Sequence, residues 1–541
     1  MKISHDSWLN RVLHCGGWLC FVLLVLITCI RGFYLFPGTS DILTDADIIQ
    51  LPTMFLDLKA NLDNFWGWQL PDAPYYFPDT LGFLLTNWLI QNSWWSIAVY
   101  SLVQASFLVF GCCWIYKEMG GKNTGILLVL LLGVFLLFTN IYVSVFDNVQ
   151  GFIAPYIYFL ATYILFGTYL SSLFALAASL NYLRTGKIFS LLIVLVLAIL
   201  TTASDLLFAI CFTIPFIATI TFASKAYIFF VKHRVKRFCQ LIFSASLIAY
   251  IYNKYIDPLA ATTTVEIKFD KIFISFKTIV IDLWKAEFSE QAFLLFSIII
   301  PLIYLTVFTL ILSKKNIINA ATRSSKNQNK HTFKLIVCPY IIMAVISNIL
   351  AVIVLGKYTT IPHARYLIFV YYSPGLIAIV LASLWLEKIK QTKNITIAAI
   401  VAISIISSAS LLTQKSTSIS DILSPPAYAN CFNLNQPQAG LAEYWQSKPL
   451  IAFSQRNIQI ATIRTEGKPS TWNSNRYWYT NSWIEPGSLP QFRFIFMKSL
   501  DKKAIAQRYG KPDRIEACTD SEIWWYDNPE GLYPQLMRDG F

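Results

Sequence analysis

Residues 41–79, DILTDADIIQLPTMFLDLKANLDNFWGWQLPDAPYYFPD, form a polar stretch between two strongly apolar segments. The stretch carries Asp45, Asp47, Asp57, Asp63, Asp72 and Asp79 among Trp66, Trp68, Tyr75 and Tyr76. Acidic residues beside aromatics and prolines, just outside an apolar run, suit a site that handles a polar substrate at a bilayer surface. Whether the flanking runs are spans therefore decides the fold.

The chain has 541 residues, of which 56% are hydrophobic and 13% charged. A soluble domain carries about 25% charged residues. That deficit, with apolar runs recurring near 20 residues, predicts an all-α polytopic membrane domain. Residues 1–413 read as about eleven spans: 17–36, 91–115, 124–145, 153–182, 188–204, 206–223, 239–254, 291–312, 335–355, 366–385 and 395–413. The N-terminal run is long and lacks an Ala-x-Ala cleavage site, so it reads as an uncleaved first span.

The net charge of +13 tests this count. Alternate loops hold Lys2 and Arg11, Lys117 and Lys122, Arg184 and Lys187, the Lys225–Arg237 cluster, the Lys314–Lys334 cluster, and Lys388 to Lys393. By the positive-inside rule these are cytoplasmic. Loops 37–90, 146–152, 201–205, 255–290 and 356–365, and everything after 414, are then external. The positive charge thus reads as orientation and not as nucleic-acid binding. The 255–290 loop mixes apolar and charged residues, as either one or two amphipathic segments on the membrane surface or a plain connector.

The tail, 414–541, is a different material and reads as an extracytoplasmic α/β domain. KPLIAFS, IQIATI, FRFIFM, DRIEAC and SEIWWYD suggest strands, while GLAEYWQSK and DKKAIAQRYGK suggest helices. Eight of the ten cysteines fall mostly within spans and read as small buried hydrophobes. Cys431 and Cys518 lie in the tail, where an external position permits a disulfide. No Gly-rich phosphate loop, zinc spacing or repeat is present.

Three external loops carry the chemistry. In the first, Asp45 or Asp47 suits a general base for a hydroxyl acceptor. The competing assignment is a helix start, with Thr44 or Asp45 capping DIIQLPTMFLDL. Residues two apart do not share a helix face, so one of the pair is expected to enter a given site. Asp57 and Asp63 read as the solvated face of a surface helix, and Trp66 to Asp79 as a substrate-facing lip. In the second loop Asp147 is a further acidic candidate, and Asp205 a weaker one. In the late loop, GKYTTIPHARYLIF, the residues Lys357, His363 and Arg365 bring positive charge to the outer side. An arginine fork there suits a phosphate, or snorkels to lipid headgroups. Asp45, Asp47 and Asp79 offer oxygen ligands for one divalent cation such as Mg or Mn, which nothing in the sequence requires.

In order and sidedness, TDADI, APYYFPD, SVFDN and HARYLIF resemble the GT-C superfamily of membrane glycosyltransferases. The resemblance covers the membrane part of the chain; the tail matches no defined member and looks most like bacterial Gtr-type transferases. It implies transfer of a sugar from a polyprenyl-phosphate carrier to a hydroxyl on a glycan, lipid or protein acceptor. It also implies a bacterial inner-membrane location, with the N-terminus cytoplasmic and the tail periplasmic. The first-loop catalytic Asp would fall on Asp45, with Asp47 as rival. The second-loop Asp of mannosyl- and aminoarabinose-transferases would match Asp147, and the donor-phosphate Arg would match Arg365, with His363 or Lys357 beside it. The acidic pair of the family is split here by Ala46, which leaves both the base and any metal requirement open. Two other functions fit the composition: a transporter or flippase of lipid-linked sugars, and a non-catalytic glycan-assembly subunit.

Overall fold

The computed structural model describes residues 19, 21–29, 31, 43–71, 73–121, 124–145, 165–226, 232–259, 269–284, 328–359, 361–385, 393–413, 424–528 and 530–538. Asp72, Asp147 and the 291–312 run lie outside them, as do most of the first expected span and residues 153–164 of the fourth.

The chain is mostly helical, with a small sheet region. Before the tail come α1 (Ala46–Ala60), α2 (Leu81–Ile90), α3 (Ser93–Glu118), α4 (Thr124–Val145), α5 (Phe166–Thr185), α6 (Ile188–Ser204), α7 (Ile214–Ala226), α8 (Lys232–Ile251), α9 (Phe269–Trp284), α10 (Gln328–Val354), α11 (Ile368–Trp385) and α12 (Lys393–Thr413). Among the described residues, three helices are long and apolar enough to cross a membrane: Ser93–Glu118, Ile336–Val354 and Arg365–Ser383. Shorter apolar helices, such as Ile188–Ser204 and Val401–Thr413, accompany them. Local chemistry sets their ends. Asn92 caps α3 by accepting from the Trp94 and Trp95 amides, and Gly186 ends α5 at φ +71, where a side chain would be strained. An aromatic core holds the helices together, with Tyr169 packed edge-on to Phe369 and stacked on Tyr372.

Among the described residues, several of the loops that charge groups together also meet. In the basic group, Arg184 pairs with Glu118 at 2.8 Å, and Arg234 lies against Gly186. In the other group, the Phe77 amide donates to Ser204 Oγ, Tyr76 to Asp257, and Tyr358 N–H to Ser275 Oγ. Within the 255–290 segment the described residues are 255–259 and the helix α9. It presents Phe269, Phe273, Phe276 and Val280 outward at helical spacing, and buries Ser275 and Ile279.

The tail folds around a five-stranded sheet of order β3-β2-β5-β7-β6: β2 (Gln438–Ala442), β3 (Ile458–Thr462), β5 (Phe494–Phe496), β6 (Arg514–Cys518) and β7 (Ser521–Trp525). Strand β2 pairs parallel with β3 and β5, and β7 pairs antiparallel with β5 and β6. Helices α13 (Tyr444–Phe453), α14 (Tyr477–Thr480), α15 (Lys502–Tyr509) and α16 (Tyr533–Met537) complete it. KPLIAFS, expected as a strand, is the second half of α13. Glu443 caps that helix through the Trp445 amide, and its turns are buried on nearly every side. A continuous apolar run looks the same in a buried helix as in a buried strand.

Packing crosses the expected boundary at 414. The hydrophobic core of the tail also contains Met54, Trp68, Leu70 and Leu259. Strand β1 (Trp68–Gln69) pairs antiparallel with β4 (Ser474–Asn475), and α1 packs on α13. The acidic first loop and the tail are therefore one packed unit. Gly67 makes this close approach, because a Cβ there would strike Asn475 and the Tyr477 ring.

Cys431 and Cys518 form a disulfide, with Cα atoms 5.8 Å apart. It spans 87 residues and joins the entry of the domain to the end of β6. In the chain-entropy view such a link contributes up to about 4–5 kcal/mol. Replacing both residues with serine is expected to lower the midpoint of chemical unfolding of the tail, followed by tryptophan fluorescence. An unchanged midpoint would show that the link adds nothing.

Candidate functional site

Asp45 is the residue just before α1. Its backbone is extended (φ −62°, ψ 138°), and its Oδ1 accepts the Asp47 N–H at 2.9 Å. The cap assignment for Asp45 therefore holds. Because Asp45 lies outside the helix, the facing rule for helical residues does not apply to the pair. The positive end of α1 favours both carboxylates.

Asp47 is 9% exposed and fully engaged. Arg365 Nη1 contacts its Oδ2 at 3.0 Å across 318 residues of sequence. The Tyr444 hydroxyl donates to its Oδ1 at 3.0 Å, and Asn473 Nδ2 donates to that same hydroxyl oxygen at 2.6 Å. Arg365 comes from the short helical turn Ile361–Leu367 that leads into α11, and its guanidinium lies over the Tyr366 ring at 5.4 Å. Asp45 is half-buried. Burial pushes its carboxyl up to about 7, and the neighbouring Asp47 charge adds to this. The Asp47 amide and Arg365 partly counter the rise.

The other expected site residues divide. Tyr75 lies close enough to Arg365 to act on its charge, at a left-handed φ of 51°. His363 stacks on Tyr366 with planes 13° apart, its Nδ1 at 3.2 Å from Thr359 Oγ1, and Lys357 is exposed. Asp79 has other neighbours. It is buried against α3, where Tyr100 and Gln104 donate to its Oδ1, and it lies over Gly167 at the start of α5. The aromatics expected as a lip have different surroundings in the described residues. Trp66 is 58% exposed, Trp68 is a core residue edge-on to Trp478 at 5.1 Å, and Tyr76 donates to Asp257. Among the described residues no group of three or more His, Cys, Asp or Glu side chains gathers as for a metal. The oxygens of Asp47 already serve Arg365 and Tyr444.

Asp57 also departs from expectation. It is 1% exposed and faces the tail instead of water. Arg456 pairs with it at 3.1 Å, Asn475 Nδ2 donates at 2.5 Å and Trp478 Nε1 at 3.3 Å. Beside it lies Lys448, fully buried among the rings of Trp68, Trp478 and Tyr444, with Nζ at 4.8, 4.4 and 5.6 Å from their centroids. Burial pushes its ammonium well below the usual lysine range, with Asp57 opposing. Neither Tyr444, Asn473 nor Lys448 carries a local sequence signal. Each becomes visible only where α13 and β4 close on α1. No known family model matches the chain, and no curated protein matches it in sequence.

Proposed function

We propose that the chain is a polytopic inner-membrane glycosyltransferase that moves a sugar from a polyprenyl-phosphate carrier to a hydroxyl on a periplasmic glycan, lipid or protein. The observation that carries this reading is the meeting of Asp45, Asp47 and Arg365 where α1, the turn before α11 and the tail come together. It joins a carboxyl of near-neutral pKa to an arginine fork, which are the two groups that such a transfer needs.

In this reading Asp45 is the base, because both oxygens of Asp47 are already held. As the acceptor oxygen attacks the anomeric carbon, its proton passes to Asp45. The bond from that carbon to the phosphate oxygen breaks, and the electron pair leaves on the polyprenyl phosphate. Attack opposite the leaving group inverts the anomer. Arg365, oriented by Asp47, binds the leaving phosphate and stabilises its developing charge, with His363 and Lys357 from the same loop beside it. The disulfide supports an oxidising compartment for the tail, and the basic loops support a cytoplasmic N-terminus with about eleven spans.

Arg365→Lys keeps the charge and loses the planar fork. It is expected to lower transfer from a radiolabelled polyprenyl-phosphate hexose by about 10²-fold, within the range for removing one transition-state donor. Transfer by Arg365→Lys at the wild-type rate would remove this site from the reaction.

A further inference from the structure

We propose that Tyr444, a residue of the tail, is a positioning residue for the carboxylate pair: it fixes Asp47 against Arg365, so that the tail completes the site. The proposal rests on the transfer reading above. It makes the tail part of the working site, beyond any role as an appended glycan-binding module.

The direction of the hydrogen bonds carries the argument. A tyrosine hydroxyl has one proton to give. Asn473 Nδ2 is a donor and takes the oxygen at 2.6 Å, so the hydroxyl proton is left for Asp47 Oδ1 at 3.0 Å. Asn473 is held at φ 51°, a left-handed conformation that asparagine tolerates better than most residues. The Tyr444 ring is itself packed edge-on by Trp445 and Trp472, at 5.1 and 5.0 Å, and Lys448 lies on its other flank. Tyr444 is the first residue of α13, two residues beyond the end of β2, so the central sheet fixes its position.

Asp47 is thus gripped from both sides, by Arg365 of the helical part and by Tyr444 of the tail. Without the hydroxyl, Oδ1 would be buried and unpaired, which is costly for a charged acceptor. The carboxylate would relieve this by turning, and the Arg365 fork would turn with it. Misplacement of a binding group by about 1 Å is enough to lower a rate about 10²-fold.

The test is Tyr444→Phe in the full chain, reconstituted in nanodiscs. Phenylalanine keeps the ring and its packing and removes only the hydroxyl. Two readouts are taken. The first is transfer from a radiolabelled polyprenyl-phosphate hexose, where kcat is expected to fall about 10²-fold. The second is the Asp45 carboxyl stretch, followed by infrared titration of protein labelled with ¹³C-aspartate and assigned by its loss in Asp45→Asn. The charged and titratable groups that act on Asp45 or near it are Asp47, Arg365 and Tyr428. With Asp47 less neutralised, the Asp45 titration is expected to move upward. Asn473→Gly, which keeps the left-handed backbone and removes the donor, is expected to move it in the same direction by less. A titration that stays in place in both variants, while Asp47→Asn moves it, would overturn the proposal. If the wild-type chain transfers no sugar, the transfer reading fails, and the infrared titration still decides what Tyr444 does.

Discussion

Asp45→Asn is expected to lower sugar transfer by about 10²–10⁴-fold while insertion and docking of the tail are preserved. The two halves of this prediction have separate causes. An amide cannot take a proton from the acceptor hydroxyl, so base catalysis is lost. Asparagine caps a helix about as well as aspartate, so the bond from the Asp47 amide and the start of α1 survive. Alanine would lose the cap as well and confound the result. The pH profile offers an internal check. With its carboxyl held up to about 7, Asp45 gains its basic form as pH rises, and the wild-type rate should climb tenfold per unit below that point and then level off. The variant should lack that limb. Because the folded pKa lies above the unfolded one, the folded state binds more protons between about pH 4 and 7, so Asp45 lowers stability as pH rises through that window. Rapid transfer by Asp45→Asn, with the limb intact, would end the assignment of Asp45 as base.

Asp57→Ala should produce the largest stability loss, about 3–5 kcal/mol, the range for removing one partner of a buried ion pair. The carboxylate accepts from Asn475 and Trp478 and pairs with Arg456, while Lys448 lies beside it in its aromatic cage. Burial alone would raise the Asp57 carboxyl and does so on balance, with Arg456 the main opposing influence. Removing it leaves the Arg456 guanidinium and two amide or indole donors without their acceptor at the seam between α1 and the tail. Asp57→Asn keeps an acceptor oxygen for one donor, so its loss should be smaller. Denaturant unfolding of the two variants beside the wild type, followed by tryptophan fluorescence, measures the effect. A loss below about 1 kcal/mol for Asp57→Ala would mean that this cluster does not hold the two parts together.

These two aspartates also show how far the sequence could be read. Asp45 belongs to a local signal, a capping residue at the head of an apolar periodic segment, and a local signal survives in the folded chain. The tail strands IQIATI, FRFIFM, DRIEAC and SEIWWYD and the helix after Asp501 were legible for the same reason. Each is set by alternation, by a cap or by a flanking turn within a few residues. Asp57 looked solvated because an aspartate on a helix normally faces water, and nothing near it in sequence says otherwise. Its partners Arg456, Asn475 and Trp478 arrive about four hundred residues later. Trp68 follows the same rule: an aromatic in a polar loop becomes core only when β4 pairs beside it.

By itself, then, the sequence determined the apolar helices, the grouping of loops by charge, the mixed α/β character of the tail and the two cysteines able to pair there. These follow from composition, period and charge, which act over a turn of helix or the thickness of a bilayer. The tertiary structure alone decided which aspartate is gripped. That depends on Arg365 and Tyr444 reaching Asp47 from opposite ends of the chain, and the energy of a carboxylate is set by what surrounds it in space.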